Sequence, residues 1–94
     1  QGTPVNFDIV ELKRKLNSIK GVTEVSKLHV WSLNQEQVML SVHITSTHPG
    51  ATLKTAKKLC EKFGVYQSTI EVKEPKNKSG HHLHRKQYSR TVVH

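Results

Sequence analysis

The sequence has a single cysteine, Cys60, and no long apolar run. One cysteine cannot form an internal disulfide, so a reducing compartment is the simpler expectation. The longest wholly apolar run is three residues, far short of the roughly 18 that span a bilayer, and no secretory signal is visible. We therefore expect one domain that is soluble on its own. The chain begins without Met, which suggests a piece of something longer.

The residue combinations that carry catalysis are missing as well. No nucleophile lies beside an evident base, and there is no glycine-rich phosphate loop. The closely spaced carboxylates on a regular element are Glu71 and Glu74. An enzyme is therefore not expected. RNA-binding sheets stack bases on several aromatic side chains, whereas the predicted sheet offers Trp31 alone. Nucleic acid is therefore not an expected partner, and an RNA-binding sheet remains only as a third hypothesis.

Acidic residues are few, and the C-terminal segment has none. Residues 1–74 hold ten Lys/Arg and seven Asp/Glu, whereas residues 75–94 hold five Lys/Arg and no acid. A basic tail suits anionic lipid, nucleic acid or an acidic partner. Residues 76–94 show almost no periodicity, so the sequence favours a disordered tail. Its histidines, His81, His82 and His84, could bind metal loosely.

Hydrophobic periodicity predicts two helices. Asp8 and Glu11 have the spacing of a capping box for a first helix over residues 8–19. A second helix begins at Pro49, which suits a first helical turn. Cys60 falls in the apolar stripe of this second helix. We therefore interpret it as a small core residue and not as a reactive thiol.

Alternating apolar residues predict three strands, over residues 22–33, 37–45 and 67–73. The order is helix, strand, strand, helix, strand. This order predicts an α+β, ferredoxin-like domain over residues 1–75, in which two helices pack on one face of a three-stranded mixed sheet. The other face would carry Trp31, His29 and Met39, which is too apolar a set for plain solvent. We expect these three residues to form a dimer interface.

Metal is the chemical candidate that the seven histidines favour. His43 ends the second predicted strand and His48 opens the next helix, so the loop between them could direct both imidazoles to one point. Glu71 and Glu74, at the end of the third strand, could add a carboxylate. Imidazole with carboxylate is a zinc-type ligand set. A single histidine on a strand is more often structural, and the spacing of a zinc finger is absent.

Several strings in residues 1–75 resemble one known family. They are Gly2-Thr3-Pro4, Ser18-Ile19-Lys20-Gly21-Val22, Leu28-His29-Val30-Trp31-Ser32-Leu33, Ser41-Val42-His43 and Thr69-Ile70-Glu71-Val72. The sequence is similar to the cytosolic C-terminal domain of cation diffusion facilitators, and most similar to the vesicular branch of animal zinc transporters. The resemblance implies a homodimer on the cytoplasmic side of a vesicular or plasma membrane. It also implies a parent transporter with a transmembrane domain that exports zinc against protons.

The resemblance implies zinc binding near the dimer interface through particular positions. His43 falls on a ligand position of the family, His48 lies near a second, and Glu74 matches the carboxylate before the final proline. Other ligand positions are occupied here by non-ligand residues, which are Ser26, Tyr66, Val72 and Lys73. The resemblance therefore implies a weak or partial zinc site.

The leading hypothesis is a regulatory and dimerising cytosolic domain of a zinc/proton-antiport transporter. The alternative is a metal-independent dimerisation module that pairs through the face carrying Trp31 and docks its basic tail on anionic membrane or protein.

Overall fold

A computed structural model describes residues 7–75 and 87–93 of the 94-residue chain. The elements are α1 (Ile9–Asn17), β1 (Val22–Ser32), β2 (Val38–Ser46), α2 (Pro49–Lys62), β3 (Val65–Lys73) and β4 (Gln87–Val93). The predicted order of helix, strand, strand, helix, strand is confirmed, and β4 follows it. In the described part of the chain, neither helix has the length and apolar character needed to cross a membrane.

The four strands form one sheet in the order β1-β2-β3-β4. β1 and β2 are antiparallel, β2 and β3 are parallel, and β3 and β4 are antiparallel. Parallel neighbours need a crossover connection, and α2 supplies it between β2 and β3. The predicted three-stranded mixed sheet is therefore confirmed, and β4 extends it beyond β3.

The prediction that residues 76–94 are disordered is wrong for β4. Gln87–Val93 pair along β3 from Gln67↔Val93 to Lys73↔Gln87. Pairing at a sheet edge relies on backbone groups, so a largely polar segment can form such a strand without an apolar pattern. Residues 76–86, which include the histidine run of the tail, lie outside the described residues.

Local capping sets the start of α1. The Asp8 carboxylate accepts a hydrogen bond of 2.9 Å from the backbone N–H of Glu11, which satisfies one of the free donors at a helix start. In a capping box the Glu11 carboxylate would accept a hydrogen bond from the backbone N–H of Asp8. Here it accepts hydrogen bonds from Arg14, one turn further on. The helix ends at Asn17, slightly before the predicted end, and Gly21 (φ 93°) takes the left-handed conformation that turns the chain into β1.

The hydrophobic core lies between the two helices and one face of the sheet. Its buried members are Leu12, Leu16, Val25, Leu40, Val42, Ile44, Ala56, Cys60, Val65, Ile70 and Val72. The interpretation of Cys60 as a core residue is confirmed, since its side chain is buried. Burial raises the pKa of the Cys60 thiol to about 12, with a smaller contribution from Glu61. The thiol is therefore protonated at neutral pH and is not a nucleophile.

β1 contains a one-residue slip at Lys27. Its pairing with β2 runs from Ser26↔His43 to His29↔Ser41, so three steps on β1 oppose two steps on β2. Lys27 has φ 50°, in the left-handed region, and its side chain is exposed. An extra residue of this kind is a β-bulge, and it reverses the alternation of faces beyond it.

The slip decides which side chains of β1 reach the core. Val25 is buried and Leu28 packs against the core, although they are three residues apart and a regular strand would place them on opposite faces. Beyond the slip, Val30 also packs against the core, whereas His29 and Trp31 face the other way. The predicted facing of the second half of β1 is therefore confirmed.

We predict that Lys27→Gly slightly stabilises the protein. The substitution removes a steric cost of about 1 kcal/mol for a positive φ, and the greater freedom of glycine in the unfolded chain offsets part of this gain. The expected net increase in the free energy of unfolding is about 0.5 kcal/mol. Lys73→Gly is the matched control, because Lys73 is an exposed strand lysine outside the left-handed region.

In the control, Lys73→Gly, the free energy of unfolding should fall by about 0.5–1 kcal/mol. Urea denaturation measures both variants. Equal losses in the two variants would show that Lys27 carries no backbone strain.

Candidate metal centre and dimer face

The sheet face opposite the helices is called the open face here. Strand alternation assigns to it Ser26, His29, Trp31, Met39, Ser41, His43, Thr45, Gln67, Thr69, Glu71 and Lys73. All eleven side chains are half-buried or exposed, whereas their core-facing neighbours on β2 and β3 are mostly buried. In the described part of the chain, both helices pack on the core side. The open face is therefore the side of the sheet that the two helices leave uncovered.

His43 and Glu71 form the centre of the open face. They are register partners on the parallel strands β2 and β3, and His43 Nε2 lies 3.5 Å from Glu71 Oε1. Their side chains are 42% and 30% exposed. The contact is an ion pair whenever the imidazole is protonated. When the imidazole is neutral, the pair offers one nitrogen and two oxygens of the types that zinc prefers.

His48 is held by a separate set of contacts at the start of α2. Its backbone N–H donates to Ser46 Oγ at 3.0 Å, and its Nδ1 lies 2.9 Å from Thr47 Oγ1. Thr47 in turn donates its backbone N–H to the carbonyl of Gly21 at 2.8 Å. Since Thr47 occupies Nδ1, the ring nitrogen of His48 left for a metal is Nε2.

The four predicted ligands do not gather within one chain. Among residues 7–75 and 87–93, no group of three or more His, Cys, Asp or Glu side chains is placed to hold one metal ion. The structure joins His43 to Glu71, whereas His48 contacts Thr47 and Glu74 lies exposed after β3. Two residues fall short of a closed tetrahedral zinc site. The His43–Glu71 pair, called the half-site below, is what the described part of one chain brings together from the four predicted ligands, and zinc binding there stays a prediction.

Ser26 occupies the position that would complete the row. It pairs with His43, which pairs with Glu71, so the three residues cross β1, β2 and β3 in line. Directly opposed side chains on neighbouring strands have Cβ atoms about 5 Å apart. A serine hydroxyl is not among the usual zinc ligands. The backbone register places a serine on each side of the pair, Ser26 on β1 and Ser89 on β4, so the row lacks a third imidazole or carboxylate because of residue identity and not because of the backbone.

The residues predicted for the dimer interface lie together on the open face. Trp31 pairs with Met39, and both are half-buried. His29 pairs with Ser41 one step along the same face and is exposed. Leu33, directly after β1, is 56% exposed. The open face thus has an apolar end beside its imidazole and carboxylate centre, while the pairing of two chains stays a prediction.

Comparison with known proteins assigns the domain. Residues 4–75 match the family described as cation efflux protein, cytoplasmic domain. The chain belongs to this family. The family assignment from the sequence strings is therefore confirmed, and the matched residues contain both helices and the first three strands.

Two curated relatives illustrate the similarity. A probable zinc transporter protein of Dictyostelium discoideum is 38% identical over 79 residues, which cover 80% of this chain and 14% of the relative. The human proton-coupled zinc antiporter SLC30A2 is 37% identical over 78 residues, which cover 79% of this chain and 21% of the relative. The chain therefore spans a small part of the length of these cation efflux proteins.

A solved structure shares the fold. It is the metal-bound C-terminal domain of the CzcD transporter from Cuprividus metallidurans, with a TM-score of 0.61 and 27% identity. The match covers 69% of this chain and 96% of that domain. The similarity confirms the predicted fold for the cation efflux cytoplasmic domain.

We predict that Ser26→His creates a zinc site in the single chain. The added imidazole would stand beside His43 and Glu71 in one cross-strand row, so zinc affinity should rise at least about tenfold. Thr45→His is the matched control, because it adds an imidazole to the same face in the row of Lys73. Isothermal titration with zinc measures all three proteins. An equal gain in the two variants would contradict the proposed row.

Proposed function

We propose that this chain is the regulatory and dimerising cytosolic domain of a transporter that exports zinc from the cytosol in exchange for protons. Zinc would bind near the interface between two copies and change their relative orientation. The observation that carries the proposal is the His43–Glu71 pair, 3.5 Å apart, on the open face that also carries Trp31 and Met39.

Two-fold pairing through the open face would double the available ligands. In an isologous dimer every residue of the patch appears twice, so two half-sites bring two imidazoles and two carboxylates. That set matches the nitrogen and oxygen ligands of protein-bound zinc. His43 and Glu71 would supply the first ligands, and His48 Nε2 and Glu74 are the further candidates from the ends of the same strands.

Charge supports a regulatory role for the metal. Each chain has a formal net charge of +8, so two copies repel one another. A zinc ion shared by the two chains attracts the carboxylates of both. This attraction between each chain and the metal offsets the repulsion between the two chains. The free energy of metal binding would then favour the dimer.

The relatives support zinc as the metal. The human relative is a proton-coupled zinc antiporter, and the Dictyostelium relative is a probable zinc transporter. By this similarity the domain would work on the cytoplasmic side of a vesicular or plasma membrane. Its covalent partner would be the transmembrane domain of the same protein, where the transported metal is selected.

Lys73 favours a second candidate, a dimerisation module that works without metal. Its position follows Glu71 by two residues on β3, so it lies on the same face one row away. An ammonium group there opposes the binding of a dication. In this candidate the apolar end at Trp31 and Met39 alone drives pairing, and the basic tail docks on anionic membrane or protein.

We predict that His43→Ala abolishes any effect of zinc on the association of two chains. His29→Ala is the matched control, because it removes another imidazole from the same face outside the row of Glu71. Sedimentation equilibrium gives the ratio of the dimer affinities with and without zinc, which should exceed one for wild type and His29→Ala only. The ratio is compared because His29 belongs to the predicted interface, so its substitution can also weaken pairing without zinc.

Equal zinc effects in wild type and His43→Ala would remove His43 from the site. Dimers that ignore zinc in all three proteins would support the metal-independent module instead. Monomers at every concentration would contradict both candidates.

A further inference from the structure

Positive charge is concentrated in the helical layer, defined as residues 8–20 and 49–64. This layer holds eight Lys/Arg and three Asp/Glu, a net charge of +5. The sheet segments, residues 22–46, 65–75 and 87–93, hold three Lys/Arg and four Asp/Glu, a net charge of −1. The domain therefore has one basic side, and that side is opposite the open face.

The basic side chains of the helical layer point to solvent. All but Lys57 are exposed, namely Lys13, Arg14, Lys15, Lys20, Lys54, Lys58 and Lys62. Two of the three acids, Asp8 and Glu11, lie at the start of α1. There Asp8 caps the helix, and Glu11 accepts from Arg14 at 2.6 Å. The rest of the helical layer consequently presents an almost uniformly positive surface.

The row of lysines on α2 is not explained by folding. Lys54, Lys58 and Lys62 follow at four-residue spacing along one face of the helix. Like charges at this spacing destabilise a helix by a few tenths of a kcal/mol for each pair. Lys62 lies in the last turn of α2, where a cation favours the helix dipole, so the unfavourable pair is Lys54 with Lys58. That pair points to a use in binding an anionic surface.

α1 adds an exposed apolar residue to the same layer. Val10 is 79% exposed, and it precedes Lys13 and Arg14 by three and four residues, so the three share one helix face. An apolar side chain among basic residues is typical of helices that lie on the surface of a bilayer. An acidic protein partner would need the lysines but would gain less from an isolated valine.

We propose that the helical layer binds the surface of an anionic phospholipid membrane. Membership in the cation efflux cytoplasmic domain family places this domain in a membrane transporter, so a bilayer lies within its reach. Tethering raises the effective concentration of even a weakly binding surface. The open face, on the opposite side, stays accessible for pairing. The proposal rests on family membership and charge, and is independent of zinc binding.

Two charge-reversed variants of the full chain test the proposal. Lys54→Glu with Lys58→Glu changes the helical layer, and Lys27→Glu with Lys73→Glu makes the same change of net charge on the strands. Each is mixed with vesicles of phosphatidylcholine and phosphatidylserine, and with vesicles of phosphatidylcholine alone. Co-sedimentation measures the partition coefficient at low and moderate salt.

We expect wild type to bind only the anionic vesicles, and more weakly as salt rises. The helical-layer variant should bind at least about tenfold more weakly, since each lysine near an anionic surface contributes about 1 kcal/mol. The strand variant should stay within about threefold of wild type. Matched melting temperatures show that both variants are folded. If Lys54→Glu with Lys58→Glu unfolds the protein, Lys54→Gln with Lys58→Gln replaces it as the helical-layer variant.

An equal loss of vesicle binding in the two charge-reversed variants would overturn the proposal, because binding would then depend on net charge alone. Undiminished binding of the helical-layer variant would also overturn it and assign the affinity to the basic tail. Binding of wild type to polyglutamate but not to anionic vesicles would show that the partner is an acidic protein.

Discussion

The one-residue slip in β1 is the constraint on which the rest of the structure depends. Close to Lys27, Val25 lies on the core side ahead of it, and Leu28 and Val30 lie on the core side beyond it. An uninterrupted strand cannot send all three to one side. The slip resolves this conflict by placing Lys27 at φ 50° outside the regular ladder.

The energetics favour the slip. A non-glycine residue in the left-handed region costs about 1 kcal/mol. Leu28 and Val30 are partly buried, so turning both away from the core would lose part of the roughly 1.5–3 kcal/mol that full burial of each side chain contributes. It would also place His29 and Trp31 against the core. The free-energy cost of the backbone strain at Lys27 is therefore smaller than the free energy gained by packing Leu28 and Val30 against the core.

The slip also builds the open face. Because the alternation is reset, Ser26, His29 and Trp31 all lie on the side of His43. The parallel pairing of β2 and β3 then sets Glu71 opposite His43. The core thus fixes the positions of the imidazole and the carboxylate, while the identity of residue 26 decides whether the row across β1, β2 and β3 holds two or three side chains of the types that bind zinc.

Much of this arrangement could be predicted from the sequence, because periodicity and capping are local. The helices, the first three strands and the place of Cys60 follow from such signals, and the strings around Trp31 and His43 identified the family. The slip itself leaves a trace in the sequence, because the apolar residues Val25 and Leu28 are three positions apart and the alternation of faces changes phase between them.

The remaining features depend on contacts between distant parts of the chain. β4 forms through backbone pairing, and its sequence is largely polar, so the hydrophobic pattern contains almost no signal for it. The orientation of His48 is set by Thr47, which binds the Gly21 carbonyl from a distant turn. Spacing between His43 and His48 could not reveal that contact.

The register of β1 against β2 in solution is the measurement that tests the central claim most directly. Cross-strand nuclear Overhauser effects between backbone protons report which residues face each other. The slip predicts contacts of Ser26 with His43 and of His29 with Ser41. Contacts of Leu28 with Ser41 and of His29 with Leu40 would show an uninterrupted strand, and would contradict both the described core and the described open face.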